Sequence, residues 1–257
     1  MGRAPSKLPR PITSDTPPIR LAVYGDGGVG KTSLLLSFPH ALVIDTDGGL
    51  EGGAVEGVVG EQWDPEKWKD LNDLYFWLKS EVVTRKYQTI GVDSIDTLCR
   101  FLLHESVDLP TQQRAESASS EELMTPELRD YGKVAYATNL FLTKLKNLSK
   151  ATGVNVVLTS AVRLPDPDKG RFKRTFDLQS AVCESVKYWA NVYGELEVVE
   201  IKGKTKEAPT AERRVLHTRV SDPKRTCKTR FAALRPGVLD PTYTKIRSLI
   251  DTKEQTK

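Results

Sequence analysis

The sequence predicts an α/β fold with a mainly parallel central sheet flanked by helices. Three observations predict it. Residues Gly25 to Thr32 read Gly-Asp-Gly-Gly-Val-Gly-Lys-Thr, a complete G-x-x-x-x-G-K-[ST] loop set between an apolar run and a helical one. Apolar runs of strand length then alternate with helical patterns along the chain. Finally, the apolar run at 89–92 ends in a carboxylate, Asp93.

Each element follows from local pattern. Residues 1–18 carry five prolines among polar residues and read as a flexible arm. The core is assigned to 19–240 and a tail to 241–257. A strand over 19–24 leads into the loop, and a helix follows it. A second strand covers 41–45, and glycines at 48, 49, 52 and 53 mark a loop. Residues 55–59 suit a short strand. Trp68, Leu71, Leu74, Tyr75 and Leu78 recur at helical spacing, which predicts a helix within 65–83. Residues 110–122 read as a polar loop. A long helix over 126–152 stops at Gly153. A buried strand over 154–159, a basic loop over 163–174 and a helix over 180–189 come next. Late strands are expected at 196–201 and 215–220, and the tail suits a short helix.

The loop carries the clearest chemistry. Its glycines let consecutive N–H groups face phosphate oxygens, and a helix N-terminus adds partial positive charge. Gly25, Asp26, Gly27, Gly28, Val29, Gly30, Lys31, Thr32 and Ser33 are therefore candidates to hold a nucleoside triphosphate. Lys31 supplies a cation for the β- and γ-phosphates, and the Thr32 hydroxyl suits Mg²⁺. A carboxylate delivered by a buried strand beside such a loop can hold the metal's water shell, which makes Asp93 the second metal candidate. Asp93 or Ser94 can equally cap the following helix. Asp45 ends the second strand, and Asp47 follows it in the turn. Asp47 is preferred as the group that polarises an attacking water, and the alternative is a purely turn-forming role.

Composition narrows the setting. Residues 51–130 hold 8 Lys/Arg against 17 Asp/Glu, and residues 202–235 hold 11 against 3. That asymmetry fits a basic face for a polyanion, pairing between subunits, or two solvated faces. Cys99, Cys183 and Cys227 have no metal-ligand spacing and are odd in number, so a reducing cytoplasm is expected. No apolar run reaches the length of a membrane span, so no membrane partner is expected.

The order of loop, acid-ended strands and Val-rich strand resembles a RecA-like ATPase core. It is most similar to the phage RecA-like single-strand annealing ATPases, the fourth type of the Sak classification. The residues that carry the likeness are Val43-Ile44-Asp45-Thr46-Asp47-Gly48-Gly49, Val92-Asp93-Ser94, Asp130-Tyr131-Gly132 and Gly153-Val154-Asn155-Val156-Val157. The resemblance spans about residues 19 to 235. It implies ATP and Mg²⁺ as cofactors and DNA-dependent ATP hydrolysis in a host cell's cytoplasm. It also implies a recombination role, annealing or strand exchange on single-stranded DNA. Its expected partners are single-stranded DNA, further copies in a ring or filament, and a single-strand-binding protein. It makes the loop after Ser160 DNA-facing, through Arg163, Lys169, Arg171, Lys173 and Arg174 with Phe172 and Phe176 interleaved. Read from residues alone, that loop is equally an ordinary solvated one. Lys228 and Arg230, in Lys-Thr-Arg-Phe, resemble cationic fingers that complete a neighbour's site; exposed strand charge or DNA contact are the alternatives. Two positions depart from the family. Relatives carry a Glu-like base where Asp47 stands, and a His or Gln where Ser160 and Ala161 stand.

Rival readings remain. A Ras-like GTPase switch would tolerate the same loop, and Asp45-Thr46-Asp47-Gly48 matches D-x-x-G, yet there is no Asn-Lys-x-Asp element. A MinD- or ParA-like ATPase would place Lys where Asp26 stands. A non-hydrolysing, ATP-dependent oligomeric scaffold is the third.

Overall fold

A computed structural model of the chain describes residues 17–50, 60–81, 86–114, 126–201 and 211–254. The first strand, β1 (Arg20–Gly25), is buried throughout. Its side chains alternate between the two faces of the sheet, as strand geometry requires. Leu21 and Val23 enter one core cluster, and Ala22 and Tyr24 enter the other.

The phosphate loop links β1 to a short helix, α1 (Lys31–Leu36). There follow β2 (Ala41–Asp45), β3 (Gly60–Trp63), α2 (Trp68–Glu81), β4 (Thr89–Asp93), α3 (Ile95–Arg114) and α4 (Leu128–Thr152). The second half holds β5 (Asn155–Arg163), β6 (Thr175–Phe176), α5 (Ser180–Trp189), β7 (Val192–Ile201), β8 (Ala211–His217), β9 (Lys228–Thr229), β10 (Val238–Leu239) and α6 (Tyr243–Glu254).

The sheet order is β10-β8-β7-β1-β5-β4-β2-β3, with β6 on β5 and β9 on β7. The six strands from β7 to β3 are mutually parallel, and β8, β10, β6 and β9 pair antiparallel. This is the α/β architecture the alternating pattern predicts. β1 lies centrally between β5 and β7. One face of the sheet packs on α2, α3, α4 and α5, through residues such as Leu71, Leu98, Phe141, Leu145 and Val186. The other packs on α1 and α6, through Leu34, Leu35, Ile246 and Ile250.

Several expectations need correction. The span 110–122 is not all loop, because α3 continues to Arg114. Apolar periodicity fades there, but backbone hydrogen bonding does not need it. β5 runs four residues past Thr159 because Ser160 and Ala161 still pair with β1, and Val162 and Arg163 with β6. β7 begins at Val192, and β8 ends at His217, not at Val220. The strand expected at 55–59 lies outside the described residues. α4 stops at Gly153, which takes φ 81° and donates its N–H to Ser149 O, a left-handed position that favours glycine. α6 packs its Tyr243 ring on Phe38, with centroids 5.0 Å apart. Among the described residues no helix is long and apolar enough to cross a membrane.

Candidate nucleotide site

Ligands of open parallel sheets bind outside the carboxyl ends of the strands. Here β1, β4 and β2 end at Gly25, Asp93 and Asp45. Gly25 is close-packed: a Cβ there would collide with Leu196 O of β7. Gly28 and Gly30 take φ 76° and 93°, the left-handed values that curl the loop. The Lys31 ammonium folds into this curl and donates to Gly25 O and Asp26 O, both at 2.9 Å. Burial pushes its pKa down, while Asp93, Asp96, Asp26 and Asp47 pull it up. A phosphate chain would offer the same ammonium stronger acceptors than two carbonyls.

Asp93 sits at the tip of β4 and is largely buried. The Thr32 hydroxyl donates to its Oδ2 at 2.6 Å, and the Thr159 hydroxyl donates to its Oδ1. Burial pushes the Asp93 carboxyl up; the two hydroxyls oppose the shift, and Asp47 and Asp45 add to it. Its side chain therefore faces the phosphate loop and does not cap a helix. Ser94 takes the capping position: its carbonyl accepts from Leu98 N–H at 3.0 Å, and its hydroxyl lies 3.2 Å from that of Thr97.

The two acids after β2 divide their work. Asp45 accepts from the N–H groups of Asp47, Gly48 and Leu50 at 3.0, 3.0 and 3.1 Å. It is the turn-former. The Asp47 side chain is exposed and has no hydrogen-bond or ion-pair partner among the described residues, yet its charge reaches both Lys31 and Asp93.

Among the described residues no cluster of three His, Cys, Asp or Glu could hold a metal ion by itself. A hydroxyl on a carboxylate beside further carboxylates suits Mg²⁺ all the same, since that ion usually arrives with phosphates and keeps several waters. The donor set fits.

Ser160 is buried, and its hydroxyl turns to the adjacent Ala161 O. It offers the site nothing. The group that β5 does offer is Thr159, which the sequence reading passed over because a lone Thr in a Val-rich strand reads as filler. Asp96 was also missed. It is buried at the start of α3 and accepts from Ala161 N–H at 3.3 Å.

The basic loop is a tight hairpin in which Asp166 and Arg171 exchange backbone hydrogen bonds of 2.8 and 2.9 Å. Its cations are all engaged. Arg163 pairs with Asp177 at 3.4 Å, and Lys169 and Arg171 pair with Asp166 at 3.5 and 2.5 Å. Lys173 donates to Asp222 O at 2.8 Å. Arg174 is held from two sides, by phosphate-loop residue Asp26 at 2.8 Å and by fully buried Glu195 at 2.6 Å. Arg225 meets the other Glu195 oxygen at 2.8 Å. Burial pushes the Glu195 carboxyl up, against both guanidinium groups. Of the two phenylalanines, Phe172 is exposed and Phe176 belongs to the core.

Lys228 and Arg230 lie elsewhere. β9 pairs with Val192 and Tyr193, which are level with Leu21 and Ala22 of β1. They therefore flank the amino ends of the strands, the sheet edge opposite the phosphate loop. The Lys228 ammonium donates to Lys187 O at 2.8 Å near the end of α5, while Arg230 is exposed. Burial lowers the Lys228 pKa, and Arg230, Lys187, Arg20 and Lys146 add to the effect.

The sequence profile of the AAA domain matches residues 17–231. The chain belongs to the AAA domain family. It is an AAA-type P-loop ATPase core, an ATP-binding protein in which an Mg²⁺ partner for the nucleotide is usual. The matched region runs from β1 through β9 and stops before β10 and α6. No curated protein matches the chain.

Proposed function

We propose that this AAA-domain ATPase hydrolyses ATP in an oligomer that acts on single-stranded DNA, as the phage RecA-like annealing and recombination ATPases do. The observation that carries the hydrolytic part is the Thr32–Asp93 hydrogen bond beside Lys31, with the Asp47 carboxylate unpartnered at the same strand ends. Lys31 would then bind the β- and γ-phosphates, and Thr32 and Asp93 would together hold Mg²⁺, which would supply positive charge against the phosphoryl group. Asp47 orients water and accepts its proton.

Two features support the DNA part. Lys169 and Phe172 stand out from the hairpin at 166–171, with Phe172 72% exposed, an aromatic beside cations that suits stacking and phosphate contact. The base of the same hairpin is tied through Arg174 to Asp26 of the phosphate loop, so events at one end bear on the other. Lys228 and Arg230, at the far edge of the sheet, would serve a neighbouring copy's site and not their own. The decisive measurement is ATP turnover with and without single-stranded DNA, in the wild type and in Lys31→Ala. Stimulation by DNA that vanishes in the variant supports the reading; wild-type turnover indifferent to DNA, with no DNA binding, overturns it.

One observation favours a second reading, an ATP-dependent scaffold without hydrolysis. The end of β5 presents no polar sensor beyond Thr159, because Ser160 turns to its own neighbour. Absence of turnover with intact ATP binding would select it.

A further inference from the structure

The β7–β8 pair does more than extend the sheet. Tyr24 of β1 is level with Glu195, yet β7 continues to Ile201 and β8 returns from Ala211. The hairpin therefore rises past the phosphate loop by about six residues, roughly 20 Å at 3.3 Å per residue. It forms a wall on one flank of the loop. Asp93 and Asp47 stand on the other, because β4 lies two strands from β1 in one direction and β8 two strands in the other.

Arg214 faces inward from that wall. Its Nε would lie 2.8 Å from a Cβ on Gly30, so the guanidinium sits directly against the last glycine of the loop. It has no hydrogen bond or ion pair among the described residues, whereas neighbouring Arg213 is paired with Asp240. Beside it opens a cavity of about 390 Å³ lined by Gly28, Val198, Glu212, Arg213, Arg214 and the turn at 240–242. That volume lies within the range of small-molecule sites. The turn is firmly made. Asp240 takes φ 42°, accepts from Arg214 N–H at 3.1 Å and donates back to Arg214 O at 2.6 Å. These closing residues lie beyond the matched AAA region.

We propose that this cavity is the nucleoside subsite, where the purine of the bound triphosphate stacks on the Arg214 guanidinium with Val198 behind it. The inference rests on the ATP-binding reading and deepens it. The direction of the phosphate chain argues for it. Lys31, Thr32 and the carboxylates draw the γ-phosphate end toward β4, so the nucleoside end must leave on the β8 flank. A planar cation with no partner there, over an apolar side chain, suits an aromatic base.

Calorimetric titrations of Mg²⁺-ATP and of Mg²⁺-tripolyphosphate separate the possibilities. The wild type should bind ATP more tightly than tripolyphosphate. Arg214→Ala should weaken ATP by about threefold to thirtyfold, the span of a cation–π contact, and leave tripolyphosphate within about twofold. Val198→Glu, on the cross-strand neighbour of Arg214, should act the same way by placing a carboxylate against the base. Both positions are exposed, so melting temperatures should match the wild type. Equal loss of both ligands in Arg214→Ala would make it a phosphate contact and overturn the subsite. So would unchanged ATP binding in both variants, or a wild type that binds the two ligands equally. A wild type that binds neither ligand would count against the ATP site itself.

Discussion

Arg174→Ala separates a structural arginine from a DNA-contacting one. The Arg174 side chain is 23% exposed, and it faces a Glu195 carboxylate that is 0% exposed. Removing one member of a buried pair generally costs about 3–5 kcal/mol, because the partner charge is left uncompensated. Here Arg225 stays on the other oxygen at 2.8 Å, so roughly half of that loss, about 2 kcal/mol, is expected. The Asp26 end is solvent-exposed and adds less than about 1 kcal/mol. The sum, about 2–3 kcal/mol, should lower the urea midpoint and shift the melting temperature by about 5–10 °C for a domain of this size. Glu195→Gln in the same chain should recover part of it, since an amide needs no cation. Lys169→Ala is the control. Its pair with Asp166 is long and its side chain 73% exposed, so stability should change by less than about 0.5 kcal/mol. If Arg174→Ala unfolds within about 0.5 kcal/mol of wild type yet loses single-stranded DNA binding, the buried-network argument fails.

Asp47→Asn should keep ATP affinity and slow hydrolysis by about a hundredfold, because an amide cannot take the water's proton; unchanged single-turnover rates would leave Asp47 a turn residue. Burial holds the Asp93 carboxyl above its ordinary value, so its contribution to stability is present below about pH 3.9 and is lost as pH rises through the raised value. Asp93→Asn should therefore melt higher than wild type at pH 7, with the gap closing toward pH 4, while losing turnover; a lower melting temperature at pH 7 would contradict this. Mixing Lys31→Ala with a Lys228→Ala/Arg230→Ala variant should restore part of the turnover if the fingers act on a neighbour, and continued inactivity in a mixture shown by light scattering to co-assemble would assign the two cations to DNA or to the end of α5.

The phosphate loop was legible because its chemistry is local: eight consecutive residues between a strand and a helix. Asp93 was legible for the same reason, as an acid ending an apolar strand. α5 matches its expected span because its apolar positions Val182, Cys183, Val186 and Trp189 recur at helical spacing. What stayed hidden depends on residues far apart in sequence. Arg174 meets Asp26 across 148 positions, and Arg214 reaches Gly30 from β8, at a position that lies before the strand expected over 215–220. Glu195 left little trace, because β7 also carries Glu197 and Glu200 and local pattern does not tell which acid is buried, where a charge demands cations. The pattern could not name which cations. Local pattern could not give the partners of the five cations in the basic loop: four meet the acids at 166, 177, 195 and 26, and Lys173 meets the Asp222 carbonyl.

The central position of β1 has a consequence for synthesis. This strand is made before both of its neighbours, residues 156–161 and 192–195. Until those have been translated, a run of six positions that are all buried in the fold has both edges unpaired, which is the condition for mispairing on the ribosome. An amino-terminal fragment ending before residue 190 would carry every residue of the phosphate loop and the β5 neighbour, and still lack β7, whose Leu196 O packs against Gly25. Nucleotide can therefore stabilise only a chain that has been made at least that far, and a ligand added to shorter nascent fragments should protect none of them from proteolysis.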